Sequence, residues 1–333
     1  TLLMDTDKGK CSMRALLEIN QLLWGGPVLI LLMGLHLYHT FHLHFIQRRI
    51  GAGIRLSLGE DTASASHGFS RLGSLTTTLA ATLGTGNIVG VSTAVFLGGP
   101  GAVFWCWLTG VFGMATTYAE TYLCSKYRYP DRNGRLQSGP MYLLRHLLER
   151  RALALLYAAA LCVSAFFVGC TTQSNAITDS CSQIFGIQAP ISAIVTAFVV
   201  GLILLQGRTW IEKFSMAVVP SMALFFLGGC LLYLILHRAY IPAALSHILS
   251  SAFGLEPVGG GLAGFTIGKA VRYGVARGLF TNEAGLGTAG LVAGNSSENQ
   301  AKNQALISMS ASFWDTVVLC AITGLVLVAF QLE

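Results

Sequence analysis

The sequence predicts an all-α integral membrane protein, and three observations predict it. Of 333 residues, 53% are hydrophobic and only 11% charged, where a soluble domain carries about a quarter charged residues. Apolar runs of the ~20 residues that a membrane helix needs recur along the chain. The net charge of +6 gathers in clusters at the ends of those runs, which argues for membrane topology and against nucleic acid as a partner.

The runs lie at 20–45, 75–97, 102–125, 153–178, 190–206, 214–236, 258–276 and 306–330, about eight spans. The first, "LLWGGPVLILLMGLHLYHTF", is too long for a signal peptide, lacks a small-residue cleavage site and is followed by "QRRIGAGIR". "GGPG" (98–101) is a turn signal that makes the second and third spans a tight hairpin. The polar stretches 47–73 and 126–151 are short enough to be loops with interfacial helices. Basic residues cluster at 47–55, at 126–151 and around Arg208 and Lys213. An external N-terminus puts all three clusters on the cytoplasmic side. The same alternation places 237–257 outside, and 269–302 with Lys269, Arg272, Arg277 and Lys302 inside. The chain begins at Thr1 and ends directly after a span, so a fragment at both ends is expected. Eight scattered cysteines form no CxxC pair, which predicts neither a metal site nor a disulfide framework.

Two apolar stretches are interrupted by glycine. "LGTGN" (83–87) lies near the middle of the second span, and "EPVGGGLAGF" (256–265) opens the seventh. Transporters built from two inverted repeats place their sites where one helix of each repeat is broken. The organisation expected is a single transmembrane domain over 1–333: an accessory helix at 20–46, a first five-helix repeat at 74–236 and the start of a second at 256–333.

Unwound backbone at Gly84, Thr85, Gly86 and Asn87 would expose amides suited to a carboxylate, and carbonyls of the preceding turn, Ala80 to Leu83, suited to sodium. The alternative is close helix packing through Gly86 and Gly90. Gln173 and Asn175 are amides inside the fourth span, either pocket residues or interhelical glue. Glu120, near the end of span three, reads as a gate or as a partner of Lys126 or Arg128. Asp315 begins the last span beside Thr316, and a carboxylate there is functional by default.

The segment "ARGLFTNEAG" (276–285) has two readings. One carries the seventh helix through it and makes Phe280 and Asn282 pocket residues. The other ends the span near Ala276 and leaves Glu283 at the cytoplasmic face as a gate or an arginine's ion-pair partner. Lys269, Arg272 and Arg277 would each cost roughly 2.5–3.5 kcal/mol at the bilayer centre, which favours the second reading. Four histidines, His36, His39, His42 and His44, allow a metal site, but no acidic or thiol ligand accompanies them, and interfacial rings are the plainer reading. Ser92 raises the idea of an intramembrane hydrolase, which needs a base at equal depth, whereas the histidines sit at edges or in loops. "NSS" (295–297) fits a glycosylation acceptor but falls on the inside.

"TTTLAATLGTGNIVGVSTAVFLGGPGAVFWCWLTGVFGMATTYAE", "SGPMYLL", "QSNAI", "YIPAAL", "GVARGLFTNEAGLGT" and "FWDTVVLCAITGLVL" together resemble the alanine or glycine:cation symporter family, from about residue 20 to the end. The resemblance implies a LeuT-type inverted-repeat fold of the amino acid–polyamine–organocation superfamily, with one helix ahead of a ten-helix core. It also implies a plasma-membrane protein that is no enzyme and takes up alanine or glycine with Na+, without an organic cofactor. By the same resemblance Gly84, Thr85, Gly86, Asn87, Gln173 and Asn175 line the pocket. The chain departs from the family at Ser138-Gly139, where Gly-Gly is usual, and at Cys170, where Asn is frequent. About three C-terminal core helices of the family are absent, one of them a source of sodium ligands. Proton-coupled or exchange transport, and hydrolysis by Ser92, are the alternatives.

Overall fold

A computed structural model describes residues 14, 18, 20, 22, 24–59, 70–130, 136–254, 261–294, 296, 298 and 300–333. Apart from a two-residue hairpin pairing Tyr129–Pro130 with Leu136–Gln137, its regular structure is helical. Helix α1 (Pro27–His42) turns by 66° into the segment that ends in α2 (Ile50–Leu58). Then follow α3 (Arg71–Thr82), α4 (Val91–Gly98), α5 (Gly101–Lys126) and α6 (Arg151–Ser164), which runs through a π segment into α7 (Thr172–Phe185). Next come α8 (Ala189–Leu205), α9 (Arg208–Leu236), α10 (Ile241–Phe253), α11 (Gly261–Asn282) and α12 (Thr288–Gly294). Last are α13 (Ala301–Ser312), a π segment (Phe313–Cys320) and α14 (Ala321–Gln331). By length and composition four of the described helices can cross a membrane, or up to six if each bent pair is one span.

Helix α5 is the hub, packed against α1, α10, α11, α12 and α13. Small residues let these backbones approach closely where lipid offers no hydrophobic drive for helix association. A β-carbon at Gly278 of α11 would stand 2.9 Å from the Cys106 carbonyl oxygen, and one at Gly110 of α5 2.8 Å from Thr316 Cβ. A second core joins α3 to α9 and α13 through Leu75, Leu79, Val219 and Ile307. The periphery is different. In the most apolar window of Arg151–Phe185 only 6% of residues are buried, against 56% in α5, so α6 and α7 present apolar side chains outward as a lipid-facing helix does.

The helix expected within 47–73 is α2, whose Gly53 sits against the Leu306 carbonyl oxygen of α13. Other expectations change. The stretch 237–257 contains α10, packed on α5 and α14. The last span starts at Ala301, so Asp315 lies in its middle, inside the π segment. Helix α11 does not end near Ala276. It continues to Asn282, with Thr281 and Asn282 both buried. The expected second break at 256–265 falls partly on 255–260, outside the described residues, and the chain is helical from Gly261.

Candidate functional site at two helix breaks

The first break separates α3 from the π turn Gly86–Gly90, and the axis bends there by 52°. Leu83 is extended (ψ 110°). In a continuous helix the amides of Gly84 and Thr85 would close on the carbonyls of Ala80 and Ala81. Here both bond to side chains. Gly84 N donates to Asn87 Oδ1 at 3.1 Å, and Thr85 N donates to Gln173 Oε1 at 3.3 Å. Asn87 is buried and faces the other way with its amide nitrogen, which donates to Asp315 Oδ1 at 2.7 Å and to the Asp315 carbonyl at 3.1 Å. Asp315 is completely buried, and its second carboxylate oxygen accepts from Thr316 Oγ1 at 2.8 Å. The structure thus brings Gly84, Thr85, Gly86, Asn87, Gln173 and Asp315 together.

A second break lies where no span was expected. Between α11 and α12 the backbone is left-handed at Glu283 (φ 51°), Gly285 (φ 91°) and Gly287 (φ 89°). Glycine relieves that conformation at two of the three positions. Glu120 of α5 closes the loop, accepting from Gly285 N and Gly290 N, each at 3.1 Å, and Tyr157 OH donates to the Leu286 carbonyl at 2.6 Å. Glu120 therefore caps backbone instead of pairing with Lys126 or Arg128. Lys126 lies over the rings of Tyr122 and Tyr127, while Arg128 donates to the carbonyls of Ala293, Ser296 and Glu298. Glu283 accepts from Thr288 Oγ1 at 2.7 Å and makes no arginine ion pair among the described residues. A narrow cavity lies between the last turns of α3 and the second break, lined by Thr78, Thr82, Asn282, Glu283, Thr288 and Ser312.

The sequence reading missed this break because glycines in a polar, charged segment look like a loop. The signal that could have found it is the pair Gly285 and Gly287 flanked by Asn282 and Thr288. Other candidates stand apart from the breaks. Asn175 is exposed and donates to Asp179 Oδ2 at 3.0 Å on its own helix. Ser92 Oγ donates to the Ile88 carbonyl one turn back. His36 is not at an edge: it is fully buried, with Nδ1 2.8 Å from Thr116 Oγ1, which His39 also approaches at 3.2 Å. Ser138, the departure in the "SGPMYLL" motif, donates to the Cys124 carbonyl and packs on Gly294, tying its loop to α5 and α12.

The start of α3 is tied down by one ion pair and several hydrogen bonds. Arg71 and Glu298 form a buried ion pair at 2.7 Å. Ser70 N and Oγ donate to Glu212 at 2.8 and 2.9 Å, and Gln304 Nε2 donates to Ser74 Oγ at 2.7 Å. These contacts hold the start of α3 to α9, to α13 and to the segment after α12.

Comparison with known proteins gives the chain's relatives. The model of the sodium:alanine symporter family matches residues 10–333. An uncharacterized transporter of Haemophilus influenzae is 43% identical over 311 residues, covering 93% of this chain and 68% of the relative. Sodium/alanine symporter AgcS of Methanococcus maripaludis is 40% identical over 315 residues, covering 93% and 69%. The probable sodium/glutamine symporter GlnT of Bacillus subtilis is 32% identical over 309 residues, covering 92% and 64%. The chain spans about two-thirds of the length of these relatives.

Proposed function

The chain belongs to the sodium:alanine symporter family, whose members are multi-pass membrane transporters and not enzymes, and from that premise we propose that it takes up alanine or glycine together with sodium by alternating access. One observation carries the reading. Asp315 is a fully buried carboxylate deep in a span, met by an amide and a hydroxyl but by no cation within ion-pair distance among the described residues. Arg277 acts on it only from beyond contact distance, and a buried charge without a counter-charge in contact is unfavourable. Sodium supplies one, with the carbonyls of Ala80 and Leu83 as further ligand candidates across the first break.

Gly84, Thr85, Gly86 and Asn87, with Gln173, form the pocket wall in this reading. The side-chain oxygens of Asn87 and Gln173 hold the amides of Gly84 and Thr85 until a substrate carboxylate takes their place. Asn175 joins the pocket only if it turns away from Asp179. The two broken helices support a LeuT-type inverted-repeat fold, with 20–46 accessory, 74–236 the first repeat and 256–333 the start of the second. The N-terminus is external and the membrane is the plasma membrane. Arg71, Glu298 and Glu212 then close the cytoplasmic side, and the structure is inward-closed.

Proton coupling is the second reading, because a buried carboxylate such as Asp315 takes a proton as readily as a metal ion. The name of the GlnT relative makes glutamine the first substrate to try beside alanine and glycine. The test is uptake of radiolabelled alanine into proteoliposomes under an inward sodium gradient. Uptake should fall to background when choline replaces sodium at fixed pH. Equal uptake in choline, responding to a pH gradient, would reject sodium coupling.

A further inference from the structure

Unpartnered polar atoms are concentrated in one place. Of eleven buried side-chain nitrogen and oxygen atoms without a hydrogen-bond partner among the described residues, five belong to Arg277, Thr281 and Asn282 on the last turns of α11. Native proteins leave few such atoms, so a cluster of five marks a place that water, an ion or a substrate completes. Thr281 and Asn282 border the second break already described. Arg277 is different, because it brings a whole charge.

Its guanidinium is seated on the first break. A β-carbon at Gly86 would stand 2.5 Å from Arg277 Nη2, and one at Gly90 would overlap the guanidinium itself. The Phe280 ring supports the group from one side, with Cζ 4.9 Å from the ring centroid. Nε and Nη2 have no acceptor. Asp315 lies within electrostatic reach, yet the two form no ion pair. Two adjacent N–H groups of one guanidinium present a fork that matches the two oxygens of a carboxylate. This also accounts for both glycines of the GxxxG spacing. They clear a seat for an arginine: the atoms nearest a β-carbon at either glycine are side-chain atoms of α11 and not the backbone of a packed helix.

We propose that Arg277 binds the α-carboxylate of the transported amino acid and makes a free carboxylate obligatory for recognition, an inference that rests on the amino-acid transport reading above. Arg277 abuts Gly86, the residue after Thr85, whose amide is assigned above to the carboxylate end of the substrate. A charge expensive to bury is retained because the substrate completes it.

The test compares equilibrium binding of L-alanine and L-alaninamide to the purified protein at saturating sodium. The parent should prefer alanine. Arg277→Gln should weaken alanine about ten- to a hundredfold, the loss expected for hydrogen bonds to a charged group, while changing alaninamide by less than about threefold. Gly90→Ala places a methyl group in the guanidinium's seat and leaves the charge, and it should shift the preference in the same direction. It decides the matter if Arg277→Gln does not fold. Retention of the parent's preference by the folded variants overturns the role of Arg277 and leaves the transport reading intact. Failure of the parent to bind alanine or any other amino acid overturns both. Repeating the series with methanesulfonate in place of chloride separates the sources of the anion. A chloride dependence lost in Arg277→Gln, with the carboxylate preference kept, assigns the guanidinium to a free anion and overturns the proposal.

Discussion

The two helix breaks solve the same backbone problem by different means. At 83–87 the freed amides are held by side-chain oxygens, of Asn87 just past the break and of Gln173 on a neighbouring helix. At 283–287 they are held from behind, by Glu120 and by nothing that a substrate need displace. Their side chains differ in the opposite sense. Asn87 has a partner at both ends of its amide, while Arg277, Thr281 and Asn282, leading into the second break, lack them. Irregular backbone is tolerated at membrane depth only where it is buried in protein or lines a cavity. Neither break needs a ligand to exist as a break. The first is a set of side-chain hydrogen bonds to freed amides, and the second is a loop tied to α5 by Glu120 and preceded on α11 by unsatisfied polar groups.

Four substitutions test that contrast, from the largest expected effect downward. Asp315→Asn keeps the size and an acceptor for Asn87 but removes the charge. Sodium-driven alanine uptake should fall by about a hundredfold or more, read as initial rate in proteoliposomes, with the protein still inserted and folded. Near-parental uptake would show that the carboxylate does not engage the cation. Glu120→Gln leaves one of the two amides at Gly285 and Gly290 facing an NH2 donor and gives the other a neutral acceptor. It should lower stability by about 1–3 kcal/mol, measured as a fall in Tm in detergent, and an unchanged Tm would mean that the second break is not held from behind. Gln173→Ala removes the side-chain amide whose NH2 is expected to donate to the substrate once its oxygen has left the Thr85 N–H, and should weaken alanine binding about tenfold with a small change in Tm. Asn175→Ala should be silent, within about 0.5 kcal/mol in stability and without effect on binding, because its partner Asp179 is exposed beside it. Equal losses from Gln173→Ala and Asn175→Ala would place both amides in the pocket and require a different orientation of that helix.

How much of this was legible depended on sequence distance. The first break announced itself: Gly84, Thr85, Gly86 and Asn87 interrupt an otherwise apolar run, and a lone amide in a span asks for a partner. The partner, Asp315, lies 228 residues away and could not be paired with it from the sequence. The second break was read as a cytoplasmic loop because Lys269, Arg272 and Arg277 were each charged the full cost of a cation at the bilayer centre. That cost applies to an arginine facing lipid. Arg277 instead faces Gly86 and Gly90, a seat built nearly two hundred residues upstream, and no local pattern reports it. Glu120 was misread for the same reason. Its basic neighbours in sequence are close, but the amides that it accepts from are 165 and 170 residues away.

The central claim is that both breaks form one site in which the cation and the amino acid bind together. The most direct measurement is the affinity for alanine across a range of sodium concentrations, paired with the affinity for sodium across a range of alanine. Linkage requires each ligand to tighten the other by the same factor. The account predicts a shared factor of at least about tenfold in the parent, abolished in Asp315→Asn. Alanine binding that ignores sodium in the parent would contradict it.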